Sequence, residues 1–254
     1  MRQPGLERAS ELLYKGRVLR LKVDDEGNIL ESRVVAWGME HPNGIRIRGN
    51  YMYVTQSYLH PIHHESGKLV SGVYRFALDE ENVKVNNDLS DKNLFATFVT
   101  ENPDCQYGAD GIVFDREGNL YVGNFGDASI NRITFREDGS LLENKTIAKD
   151  FSQLESTDGM IFDENGSLYI ADFNANAIGM MTPDGTIRRI AQSPEQRRPA
   201  RRAEPAGRAG SSGTAAVIAS CFDLVTGPQV KRRRTPCPPR WRSWSWRDSR
   251  RGAG

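Results

Sequence analysis

Apolar positions along this chain fall in short runs, and the runs come in pairs. Ile112-Val113-Phe114 is followed by Leu120-Tyr121-Val122, and Met160-Ile161-Phe162 by Leu168-Tyr169-Ile170. Bounded by turn residues, such runs read as strands. Asp115-Arg116-Glu117-Gly118 and Asp163-Glu164-Asn165-Gly166 separate the members of each pair, with glycine where a positive φ is needed. Glu26-Gly27, Asp138-Gly139 and Pro183-Asp184-Gly185 repeat that chemistry elsewhere. In the clearest copy the pattern predicts four strands: Gly159 to Phe162, Leu168 to Phe173, Ala177 to Met181 and Thr186 to Ile190. Leu168-Tyr169-Ile170-Ala171 is apolar at every position, which predicts sheets covered on both faces.

The pattern is periodic. Asp110 and Asp158 stand 48 residues apart, as do Tyr121 and Tyr169. A period of this size marks a repeat architecture. Four strands and three tight turns per unit predict an all-β fold built of β-propeller blades. Residues 17–36 read as two strands, Val18 to Val23 and Ile29 to Val35, the outer half of a blade. Residues 43–109 are the next blade, lengthened mainly by an insertion around Tyr58 to Ser71. Residues 110–157 and 158 to about 193 are two further blades. One period after Tyr169 is position 217, where Ala216 to Asp223 resembles Leu168 to Asn174. The chain thus divides into a partial propeller over 1–195 and a tail over 196–254, with a strand-like island at 216–227. The whole amounts to about three and a half blades plus a fragment.

Charge sharpens that division. The net charge of +1 hides a tail with 14 lysines and arginines against 3 acids, and so an acidic body. The tail outside the island is mostly Arg, Pro, Ala, Gly, Ser and Trp, without turn logic. Two readings stand: a disordered basic tail, or GC-rich codons read in another frame around an in-frame island. The second is preferred, because it accounts for a strand returning at the expected phase. Lys231 to Arg234 with Trp241, Trp244 and Trp246 has the residue types of a nucleic-acid patch. It belongs to the same odd composition, so no nucleic-acid partner is expected. Only Cys105 of the three cysteines lies in the body, which leaves the redox compartment open. No apolar run is long enough to span a membrane, and Met1 to Gly16 lacks a signal peptide's apolar segment, so the cytoplasm is the default location.

Candidate chemistry gathers at strand starts. Pro42-Asn43-Gly44-Ile45, Asp110-Gly111-Ile112 and Asp158-Gly159-Met160 resemble the strand starts of the SMP-30/gluconolactonase/luciferin-regenerating-like family. The resemblance covers about residues 15–195 and the island. It implies a six-bladed propeller, incomplete here. It also implies a metal-dependent hydrolase acting on a lactone or related cyclic ester, with a small lactone or sugar-derived substrate. The family holds one divalent cation, most often Ca²⁺, at the mouth of the central channel. By that resemblance Asn43 and Asp110 match metal ligands, Asp158 takes the equivalent place one blade on, and Asp110 is the catalytic base. A cage of carboxylate and amide oxygens suits Ca²⁺. The family's further glutamate has no match. Glu204-Pro205 lies near the place but out of phase, which predicts weak cation binding and low activity.

Plainer readings stand beside these. An Asp or Asn before Gly also caps turns and accepts backbone N–H bonds. Asp115, Asp138, Asp163 and Asp184 read as turn acids, and Asn124 and Asp172 as caps at strand ends. His60, His63, His64 and Glu65 match no metal-binding spacing and read as a surface loop. The same repeat text resembles NHL propellers, which bind partners without catalysis. Unclosed blades, with Ile161, Tyr169 and Ile170 on an outward face, predict self-association.

Overall fold

Tight turns carried by Asx-Gly sequences fold this chain into antiparallel meanders. A computed structural model describes residues 16–59, 67–105 and 107–193. The chain divides into two compact units, Met1–Ala219 and Ser220–Gly254, and every described residue belongs to the first. The tail, its island, Glu204 and the His60–Glu65 cluster lie outside the described residues.

The first sheet is a hairpin of β1 (Gly16–Val23) and β2 (Ile29–Met39). The second joins β3 (Pro42–Arg48), β4 (Tyr51–Gln56) and β5 (Leu69–Ala77). Its chain then leaves to place β6 (Val83–Lys84) parallel to β2, and returns as β7 (Leu94–Thr100) beside β5. The expected outer half-blade is therefore a three-stranded sheet completed by its neighbour. The extra length of this blade lies in two connections, the one before Leu69 and the one that carries β6.

The next two sheets are uninterrupted four-stranded meanders. The third runs β8 (Ala109–Phe114), β9 (Leu120–Asn124), β10 (Ser129–Phe135) and β11 (Leu141–Lys149). The fourth runs β12 (Met160–Phe162), β13 (Leu168–Asp172), β14 (Ala177–Met181) and β15 (Ile187–Gln192). Gly118 and Gly166 close their first hairpins at φ 84° and 83°. In those turns Asp115 accepts from the Asn119 amide at 2.7 Å, and Asp163 from the Ser167 amide at 2.9 Å. The turn acids thus act as structural caps.

Core residues sort by strand parity into three clusters, one between each successive pair of sheets. Met52 and Val54 face the first sheet with Val18, Val35 and Met39, while Tyr53 between them faces Ile112, Leu120 and Val122. Val113, Tyr121 and Ile130 turn the other way, onto Met160, Leu168 and Ile170. Each fully buried aliphatic contributes about 1.5–3 kcal/mol, so the sheets are held face to face by the alternation itself. Sheets stacked this way, with β3, β8 and β12 as innermost strands, are blades of a β-propeller.

Strand β9 is buried at every position, as expected of a covered sheet. Strand β13 is not: Leu168, Ile170 and Asp172 are buried, whereas Ala171 is exposed and Tyr169 half-buried. Ile161 is 61% exposed, as anticipated for an outward face, but Ile170 is fully buried because its parity turns it toward β8–β11.

Candidate functional site

The Asx-Gly strand starts are β-bulges. Strand β3 pairs Pro42 with Gln56 and then Ile45 with Val54, so Asn43-Gly44 holds one residue too many. Strand β8 repeats this, pairing Ala109 with Asn124 and then Ile112 with Val122 around Asp110-Gly111. At the third start the Asp158 amide donates to Ala171 O at 3.0 Å, and the Ala171 amide to Gly159 O at 2.8 Å, before regular pairing begins at Met160. A bulge re-aims a side chain that would otherwise alternate with its neighbours.

The glycine after each Asx is a point of close approach. A Cβ on Gly44 would stand 2.9 Å from Asp110 O, and one on Gly111 only 1.9 Å from Asp158 O. Nothing lies within 4 Å of the same position on Gly159. Thr55 ties two of these starts together. Its hydroxyl accepts from the Gly44 amide at 2.7 Å and donates to Asp110 O at 2.6 Å.

The three Asx side chains sit in different surroundings. Asn43 is exposed and Asp158 half-buried, while Asp110 is only 6% exposed. Asp110 Oδ1 has no hydrogen-bond partner among the described residues. Burial, and then the charge of Asp158, pushes the Asp110 carboxyl up from 3.8 to about 7. The charge of Asp158 thus reaches the Asp110 carboxyl. Among the described residues no group of three or more His, Cys, Asp or Glu is placed to hold a metal ion.

Asn124 and Asp172 behave as the strand-end caps their positions predict. Asn124 accepts from the Thr100 hydroxyl at 3.0 Å and donates to Val99 O at 3.1 Å. Asp172 accepts from the Glu155 amide at 2.8 Å and from the Ser156 amide at 3.0 Å, holding the loop that enters the last blade.

One feature of this rim was not anticipated. His41, Tyr58, Tyr107, Phe125 and Phe173 form a continuous chain of aromatic rings. Centroids are 5.7 Å apart for His41 and Tyr58, 5.2 Å for His41 and Tyr107, 6.1 Å for Tyr107 and Phe125, and 6.2 Å for Phe125 and Phe173. The rings precede or follow inner strands at the end where Asn43 and Asp110 begin. The Gly108 amide donates to Ser57 O at 2.7 Å and the Phe125 amide to Gly108 O at 2.8 Å, which locks the loops bearing Tyr58, Tyr107 and Phe125 together. Burial, and then the nearby Glu40, pushes the Tyr58 hydroxyl up to about 12. Burial lowers the His41 imidazole. A sequence signal existed for part of this arc: Phe125 and Phe173 are one 48-residue period apart. His41, Tyr58 and Tyr107 come from connections of irregular length.

No family model matches the chain, and no curated protein matches it in sequence. Solved structures do. A gluconolactonase from Xanthomonas campestris is 18% identical over 70% of this chain and 59% of its own, with a TM-score of 0.45. A protein of unknown function from Bacteroides caccae is 11% identical over 70% of this chain and 58% of its own, with a TM-score of 0.40. Virginiamycin B lyase from Staphylococcus aureus is 16% identical over 61% of this chain and 56% of its own, with a TM-score of 0.35. The chain spans less than two thirds of each of these proteins.

Proposed function

We propose that the rim carrying Asp110 and Asp158 is a hydrolytic site for a lactone or related cyclic ester. The observation that carries this reading is the Asp110 carboxyl itself. It is buried, has an oxygen without a described partner, and ionises near pH 7 beside a second carboxylate. A perturbed carboxyl at a strand bulge has the character of a general base. Asp110 takes a proton from water as the water oxygen forms its bond to the lactone carbonyl carbon. The ring C–O bond then breaks, and the proton passes to the departing oxygen to give a hydroxy acid.

A hard divalent cation, Ca²⁺ above all, fits the donor chemistry. Two crowded carboxylates, one with an unpartnered oxygen, gain from a positive charge between them. Asn43, Asp110 and Asp158 would hold it, and it would supply Lewis-acid polarisation of the carbonyl. Three protein oxygens are fewer than the six to eight that Ca²⁺ takes, so water or substrate completes the shell and affinity is weak. A binding module without catalysis is the second reading. It is favoured by the exposed rings of Tyr107 and Phe173.

The test is lactone hydrolysis by the full chain, followed by proton release with and without Ca²⁺ and a chelator. Asp110→Asn should lower the rate by about 10²-fold or more, the usual range for a lost general base. Turnover unchanged in that variant would remove Asp110 from the reaction. No turnover of any lactone would leave the binding module.

A further inference from the structure

We infer that the aromatic arc is a binding site for the ring of an aromatic ester or lactone, in preference to a sugar-derived one. As a statement about substrate class it rests on the hydrolytic reading. As a statement about binding it stands on the arc alone.

The arc is laid out as a stacking surface. Its ring pairs lie 5.2–6.2 Å apart and tilt by 22° to 77°, the offset and edge-on arrangements that aromatic rings favour. One more ring can extend such a series at its free end. That end is Phe173, which is 68% exposed, far from the usual state of a phenylalanine. It stands after β13, in the loop held by Asp172.

Several of the polar groups beside the arc are already engaged. A sugar needs side-chain amides, carboxylates or hydroxyls that are free to bond it. Here Asp172 is engaged by the Glu155, Ser156 and Ala175 amides and the Ser156 hydroxyl. Asn174 donates to Glu155 O, and Asn124 is spent on Thr100 and Val99. Asn102 donates to Gly126 O and accepts from the Asp104 amide. The phenylalanine rings have no polar handle. Asn174 and Asn176 are exposed at the edge of the arc, while Phe125 and Phe173 themselves offer π-surface. A row of linked rings ending in an exposed phenylalanine is a stacking surface for a flat ring.

Unreactive lactams separate binding from hydrolysis. Calorimetry with the full chain would compare 3,4-dihydro-2-quinolinone, δ-valerolactam and gluconolactam. The aromatic lactam should bind about ten-fold tighter than the aliphatic one, as expected for one added stacking contact. Phe173→Ala, a change at an exposed position, should bring the two within about three-fold. Phe125→Ala should act in the same direction. Equal binding of the aromatic and aliphatic lactams, tighter binding of gluconolactam, no binding of any lactam, or an aromatic preference that survives both substitutions would overturn the inference. Aromatic preference in the lactams without hydrolysis of dihydrocoumarin would uphold the arc and remove the hydrolytic reading. Lactone hydrolysis with no aromatic preference would do the reverse.

Discussion

The Thr55 hydroxyl donates to the backbone carbonyl of Asp110 at 2.6 Å, across the gap between two blades. The same oxygen accepts from the Gly44 amide, so one buried side chain fixes two strand starts. Thr55→Val keeps the shape and removes both bonds. It should destabilise the protein by about 1–3 kcal/mol, because a buried amide and a buried carbonyl lose their partner. Thr55→Ser should recover most of that loss in urea melts. Equal stability of the valine variant would mean that this bond does not help hold the two blades together.

Two glycines at the same repeat position should differ in their response to the same substitution. Gly111→Ala drives a Cβ to within 1.9 Å of Asp158 O, so the inner strands must part. Overpacking of this kind costs about 1–3 kcal/mol, and more where the obstacle is backbone. Gly159→Ala meets nothing within 4 Å and should stay within about 0.5 kcal/mol of wild type. Thermal melts of the two variants side by side would decide the matter, and similar losses in both would refute the inner-strand geometry.

These glycines also mark what could be read without coordinates. Asx-Gly at each strand start, with Asp110 and Asp158 48 residues apart, was enough to place the innermost strands and the candidate carboxylates. Ala177–Met181 was legible to the residue because Asn174-Ala175-Asn176 and Pro183-Asp184-Gly185 bound it with turn residues. Ile170 was misjudged because an all-apolar strand does not say which parity faces inward. Only the neighbouring sheet decides that. Strand β6 was illegible, since two residues paired to a sequence-distant strand leave no periodic trace. The aromatic arc was missed for a related reason: His41, Tyr58 and Tyr107 stand in connections whose spacing along the chain is irregular.

Asp110 should make stability depend on pH in an unusual direction. Its folded-state carboxyl ionises near 7 rather than 3.8, so the folded chain holds the proton more tightly than the unfolded one. Stability from this group is fully present below about pH 4 and is lost as pH rises through 7. Asp110→Asn should therefore be neutral at pH 4 and stabilising at pH 8, by at most about 4 kcal/mol, the linkage value of moving a carboxyl that far. Ca²⁺ binding at this carboxylate would oppose the effect in the wild-type chain only. Denaturant titrations at the two pH values would expose the difference. An equal effect of the substitution at both would mean that Asp110 is not held protonated.

Self-association is expected from one apolar face of the last sheet. Ile161 pairs with Tyr169, Tyr169 with Met180, and Ala171 with Ile178, so these five side chains share one side of the sheet. One period earlier the same places are held by Val113, Tyr121 and Ile130, which the next sheet buries. The face is thus built for a neighbouring blade, and no described residue covers it. At the opposite end, Leu19, Leu21, Val23 and Ile29 are also exposed, on the side of the hairpin facing away from Val18. Stacked repeats leave such faces at their ends, and apolar patches of this kind draw partners. Two different apolar ends favour head-to-tail contact between copies, which grows with concentration unless a ring closes. Light scattering should show mass rising with protein concentration, and Ile161→Lys with Ile178→Lys should reduce it without unfolding the chain. A monomer at every concentration, with a sharp melt, would mean that something in this chain already occupies the face.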